Sequence, residues 1–266
     1  MSTNIDLIAP SFDGRLSALH YSLSIRLMLD GYSFSIKDHN NNHISVKFIA
    51  KNQIKNLAAD EPLLQQRYRD TTIYSDSHFA ITPLSAINDS QPPLITPKVS
   101  ADGMIYQTKP ADLLYNKIAD LATIQFTPAY LKLNMQYSSR HYMELLIGRL
   151  MHIPSPDAVA VEHTDVNVSI AVKTNNKLLL ANAYPSSAFT DTIYYIMACY
   201  ESLQIPHYTP LHIINAAIDN TTQLSGTLRQ YLTTVVDITP SLWDSIPDDY
   251  RHSHNLNLFT LQTAMM

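Results

Sequence analysis

A twice-built α/β fold with mixed sheets is what this sequence predicts, and three observations predict it. A three-strand meander runs through residues 19–48, and a second one runs through residues 159–183. Each is followed by predominantly helical sequence. Each helical stretch then meets short apolar runs of strand length, so the order strand-strand-strand-helix-strand-helix-strand reads twice.

Residues 19–29 place Leu19, Tyr21, Leu23, Ile25, Leu27 and Leu29 on one face, with His20, Ser22, Ser24 and Arg26 on the other. That alternation is the mark of a half-buried strand. Asp30-Gly31 marks a tight turn, where glycine is expected to supply a positive φ. Tyr32, Phe34 and Ile36 alternate with Ser33, Ser35 and Lys37 as the second strand, and Ile44, Val46 and Phe48 make the third after the turn Asp38 to Asn42. Residues 52–69 read as helix broken near Pro62, while 71–74 and 79–82 read as short strands. Pro83 suits the start of a helical turn. Residues 88–102, rich in Pro, Ser and Asp, read as an exposed loop. A strand is expected at 104–107 and a helix opening at Pro110. A longer helix is expected over 137–151, with Met143, Leu146, Ile147 and Leu150 on one face. Pro154 and Pro156 end it, which sets a boundary between lobes at 1–153 and 154–266.

The second lobe opens with strands at 159–161, 166–173 and 178–183, the last two joined by Thr174-Asn175-Asn176. A helix follows, with Phe189, Ile193, Ile196, Met197, Tyr200 and Leu203 on one face. Residues 211–214 read as a buried strand, 221–232 as a helix, 233–238 as a strand, and 255–266 as either strand or helix.

Composition narrows the function. With 45% hydrophobic and 15% charged residues in 266, the chain can bury a large core or two smaller ones. A net charge of −5 gives no electrostatic case for nucleic acid. No apolar run reaches the length of a membrane span. The start of the chain lacks the basic residues of a secretory signal, and a lone Cys199 excludes an internal disulfide. Both point to a cytoplasmic protein. The five glycines are scattered, so neither a P-loop nor a dinucleotide fingerprint is present.

The segments Leu23–Asp38, Phe79–Leu84, His141–Leu146, Leu178–Leu203 and His254–Leu261 together resemble a family of uncharacterised bacterial proteins, catalogued as a domain of unknown function. That family is similar in turn to the actin-like ATPases, whose paired lobes share a ribonuclease-H-type fold. The resemblance implies two such lobes and no assigned reaction. It also implies where a nucleotide would sit. Active members carry an Asp-x-Gly turn in each lobe and a Gly-Gly turn beneath the adenosine. Here the first turn holds Asp30 and Gly31 with the glycine one position early. The second turn, Glu162-His163-Thr164-Asp165, has no glycine, and neither does the adenosine turn at Asn215-Ala216-Ala217.

Other candidate residues read more plainly. His252 and His254, beside Asp248 and Asp249, form the densest set of possible metal ligands, yet lack a third histidine nearby. His39 and His43 flank a turn. Cys199 sits among apolar residues as an inert thiol, and Ser225-Gly226 lacks the second glycine of a nucleophile elbow. Asp30, Asp38, Asp165 and Asp219 do not make a convincing carboxylate set for nucleic-acid cleavage. Sixteen tyrosines suit core positions and partner-binding surfaces. The expectation is a degenerate actin-like scaffold or assembly adaptor with a protein partner and no cofactor, no metal, no nucleic acid and no membrane insertion. The alternative is a nucleotide-binding switch that uses Asp30 and Gly31 to hold ATP and magnesium.

Overall fold

The computed structural model describes residues 5–8, 12–28, 31–40, 43–83, 98–99, 105–106, 114–118, 121–126, 128, 131, 133, 135–164, 167–186, 188–214 and 218–238. In the first half, β1 is Ile5–Ile8, α1 Ser17–His20, β2 Ser22–Leu27, β3 Gly31–Lys37, β4 His43–Ala50, α2 Leu57–Asp60 and β5 Asp70–Ser75. Next come β6 Phe79–Pro83, β7 Lys98–Val99, β8 Ile105–Tyr106, β9 Leu114–Ile118, β10 Ala122–Phe126, β11 Ser138–His141 and α3 Met143–His152. The rest comprises β12 Ala158–His163, β13 Asn167–Thr174, β14 Lys177–Pro185, α4 Phe189–Ser202, β15 Leu211–Ile214, α5 Ile218–Leu228 and β16 Val235–Ile238.

Among the described residues, the first large sheet has the order β1-β4-β3-β2-β5-β11 and the second β14-β13-β12-β15-β16. With β1 set aside as an added edge, the two orders are the same. Both sheets pair a three-strand antiparallel meander with two further strands. β5 runs parallel to β2 and β11 parallel to β5. In the second sheet β15 runs parallel to β12 and β16 parallel to β15. This is the predicted mixed α/β architecture built twice.

The copies differ in what links their strands. The second uses α4 and α5. The first replaces one helix by short turns around α2, and Glu61 caps the turn that opens at Pro62 by accepting from Leu63 N–H at 3.0 Å. In place of the other helix lies a separate sheet, β6-β10-β9. The helix expected from Pro110 is therefore contradicted over the described residues 114–118, which pair with β10. The pairing runs the full length of both strands, from Leu114 opposite Phe126 to Ile118 opposite Ala122. Pro83 ends β6 opposite Ala122, and the residues that would form a helical turn after it lie outside the described residues.

Two further boundaries move. The first strand starts at Ser22, where pairing with Lys37 begins, and residues 17–20 upstream form a helical turn with Leu19 exposed. The long helix starts at Met143 and not at 137, because residues 138–141 pair with 72–75 as β11. The expected loop at 88–102 falls almost wholly outside the described residues, and 255–266 falls there entirely.

Helix α3 is the centre of the molecule. Met143, Leu146, Ile147 and Leu150 are fully buried, as their spacing predicts. They pack against Ile124 and Phe126 of the small sheet and against Ala158, Ala160, Ala171 and Ile214 of the second large sheet. The alanines let the helix sit close. On the sheet's other face, Val159, Val161, Ile170 and Ile213 meet α4 and α5. The first sheet builds its own core from Leu23, Ile25, Phe34, Ile36 and Ile73 against Leu57, Leu63 and Leu64. Lys173, buried on β13, donates to the Ile153 carbonyl at 2.6 Å, so a cation meets the C-terminal end of α3.

Candidate functional site: an ion-pair cluster between the two sheets

The first hairpin of each large sheet is closed in the same way. Met28 N–H donates to the Gly31 carbonyl at 2.9 Å, and Thr164 N–H donates to the Asn167 carbonyl at 2.9 Å. Each hairpin thus spans a two-residue loop. Two positions before the closing residue stand Arg26 in β2 and Glu162 in β12. Arg26 lies opposite Ser33, and Glu162 opposite Ser169. These two residues, 136 apart, occupy equivalent places in the two copies, and they bind each other.

Arg26 Nη1 donates to Glu162 Oε1 at 2.6 Å, and Nη2 donates to Oε2 at 2.9 Å. Its Nε and Nη2 also donate to the two oxygens of Asp76, at 3.0 and 3.1 Å. Asp76 follows β5 within the first lobe, whereas Glu162 belongs to the second. Arg26 and Glu162 are both 0% exposed. Burial alone would lower the Arg26 pKa, but the charges of Asp76 and then Glu162 outweigh it and hold the group well above its ordinary range. Alternation in the sequence places Arg26 on the polar face of a half-buried strand. The face is right, and the exposure is corrected, because α3 and the second sheet cover it.

Tyr142, at the N-terminus of α3, completes the cluster. The Arg26 guanidinium carbon lies 4.5 Å from its ring centroid, a cation–π contact. Its backbone N–H donates to the Ser75 carbonyl at 3.3 Å, and its hydroxyl is hydrogen-bonded to Ser169 Oγ. One residue therefore holds both sheets. Burial first, and then the nearby carboxylates, push its phenol well above the usual range.

His141 adjoins this cluster without joining it chemically. Met143 N–H donates to its Nδ1 at 3.1 Å, so Nε2 carries the proton and donates to the Ser77 carbonyl at 2.8 Å. The ring packs against Phe79 at 4.6 Å and Phe126 at 5.5 Å. Burial lowers its pKa to about 3, with Arg26 adding to the effect, and both ring nitrogens are engaged by backbone.

Asp30 lies outside the described residues. Gly31 is buried at the start of β3, and its φ is not in the left-handed region, which corrects the reason given for it. A Cβ at Gly31 would meet Phe48 Cζ at 2.5 Å and the Ile49 carbonyl oxygen at 2.6 Å, so close packing is what requires glycine. Asp38 accepts from Asn40 N–H in its turn, and Asp219 stands in the first turn of α5. Asp165, residues 215–217, His252 and His254 lie outside the described residues. Cys199 is buried in α4, where burial raises its pKa. Ser225 is buried within α5, away from any strand-to-helix elbow.

Glu162 commits both oxygens to a guanidinium, as does Asp76. Among the described residues, the Glu162 and Asp76 carboxylates are thus arranged around the Arg26 guanidinium. Among the described residues, no group of three or more His, Cys, Asp or Glu side chains is placed to hold a metal ion. Sequence reading missed Arg26, Asp76 and Tyr142. The repeat itself carried a signal for the first, since aligning the two hairpins sets Arg26 upon Glu162.

The fold is an actin-like ATPase fold. A crystal structure from Bacteroides thetaiotaomicron, described as a protein with actin-like ATPase fold and unknown function, superposes with a TM-score of 0.66 at 20% identity, over 95% of this chain and 98% of that one. A chain of the PilM–PilN type IV pilus biogenesis complex superposes with a TM-score of 0.55 at 10% identity, over 92% of this chain and 97% of that one. Residues 113–235 match the model of a family described as protein of unknown function (DUF3822). Fold and match together support an uncharacterised family with an actin-like fold, as the sequence resemblance implies. No curated protein matches the sequence. Among the described residues, no helix is long and apolar enough to cross a membrane.

Proposed function

We propose that this protein is a non-catalytic member of the actin-like fold, acting as a protein-interaction scaffold or assembly adaptor in the cytoplasm. The observation that carries the reading is the Arg26–Glu162 pair. A buried arginine fills the place between the two hairpins and engages both oxygens of the second lobe's carboxylate. The likeness in fold to a chain of a pilus biogenesis complex supports a protein partner. The scattered glycines support the absence of phosphate chemistry.

A thermal-shift titration with ATP, ADP and GTP, with and without Mg²⁺, tests this reading. A ligand at 100 times its dissociation constant stabilises by about 2.7 kcal/mol. The expected result is no shift with any nucleotide. A shift of that order would overturn the scaffold reading in favour of a divergent nucleotide switch. In that alternative Asp30, in the loop between Met28 and Gly31, contributes to holding ATP and magnesium, and Asp30→Ala abolishes the shift.

A further inference from the structure

We propose that the Arg26–Glu162 pair is a latch that sets the angle between the two large sheets. That role rests on where the partners belong: Arg26 to β2 of the first sheet, Glu162 to β12 of the second, and Asp76 to the first lobe. Of the guanidinium's two carboxylate partners, one holds it in place from its own side, and the other reaches it from across.

The physical case turns on direction. Tyr74 of the first sheet joins Ala158, Ala160 and Ala171 of the second in the core around α3, but burial of apolar area is non-directional and tolerates sliding. A two-pronged guanidinium–carboxylate pair fixes distance and orientation at once. Buried ion pairs are weak contributors to net stability compared with apolar side chains of similar volume. A pair at this position is therefore better explained by the geometry it selects. The Tyr142 contacts reinforce it, since that residue's backbone is tied to Ser75 on the first sheet and its hydroxyl to Ser169 on the second. Tyr142 is also the point where the chain leaves β11 and enters α3, which is where a hinge between the lobes would bend.

The test measures the distance between lobes. In a Cys199→Ala background, spin labels go on the exposed positions Lys51→Cys in the first lobe and Glu201→Cys in the second. Distance distributions are recorded by pulsed dipolar spectroscopy for the parent and for two added substitutions. Glu162→Gln removes the ionic pair across the sheets and leaves Arg26–Asp76 in place. Asp76→Asn does the reverse. The latch predicts a broadened or displaced distribution for Glu162→Gln and a parent-like one for Asp76→Asn, with both variants folded by circular dichroism. Any other pattern, including equal broadening in both or in neither, overturns it. Should Glu162→Gln fail to fold, Arg26→Lys takes its place. It keeps the charge but not the two-pronged geometry, and a parent-like distribution there overturns the latch as well.

Discussion

Removing the guanidinium of Arg26 would leave the fully buried Glu162 carboxylate facing the largely buried one of Asp76. Breaking a buried ion pair by deleting one partner costs about 3–5 kcal/mol, and Arg26→Met should lower stability by that order in urea unfolding. His141 gives a pH dependence. Its folded pKa of about 3 lies below the unfolded value near 6.5. The unfolded state alone takes up the proton between those values, so the contribution is complete above pH 6.5 and is lost as pH falls toward 3. Its slope is about 1.4 kcal/mol per pH unit. Urea midpoints at pH 7 and pH 5.5 should differ more for the parent than for His141→Gln. Neither residue's role was legible from the sequence. Strand alternation says which side chains share a face, and it put Arg26 on the face away from Leu23 and Ile25. It does not say what covers that face, which here is a helix from one half and a sheet from the other.

At the scale of elements, the legible parts were those with a strong local period. The second meander, α4 and β15 lie close to where they were expected, and Asn175 and Asn176, with φ of 52° and 58°, make the hairpin turn that their side chains tolerate. The misread parts were decided by a pairing partner and not by their own period. Residues 138–141 carry little strand signal of their own and become β11 because β5 offers an edge. Residues 114–118 become a strand because β10 does. In the β2–β3 hairpin Gly31 is required by close packing and not by a positive φ, and a substitution tests the packing. Gly31→Ala adds no strain of φ but drives a methyl group into Phe48 and the backbone of Ile49. Overpacking of this kind costs about 1–3 kcal/mol or more. A Gly31→Ala variant that is nearly neutral in thermal unfolding would overturn the packing explanation.

For the whole molecule, the doubled plan was legible because the meander repeats in pattern, and the common core was not. Helix α3 touches the small sheet and the second large sheet together, so the halves share apolar residues that neither could bury alone. Truncating Leu146, fully buried on this helix, should cost about 2–5 kcal/mol. Calorimetry should show one transition moving as a unit, not a first lobe left standing while the second melts.

The equivalence of Arg26 and Glu162 has a consequence for assembly. Two positions related by an internal duplication have become opposite in charge. A first lobe meeting another first lobe in the same geometry would set arginine against arginine, and two second lobes would set glutamate against glutamate. Only unlike lobes complete the pair, so its charges favour a first lobe beside a second over two of the same kind.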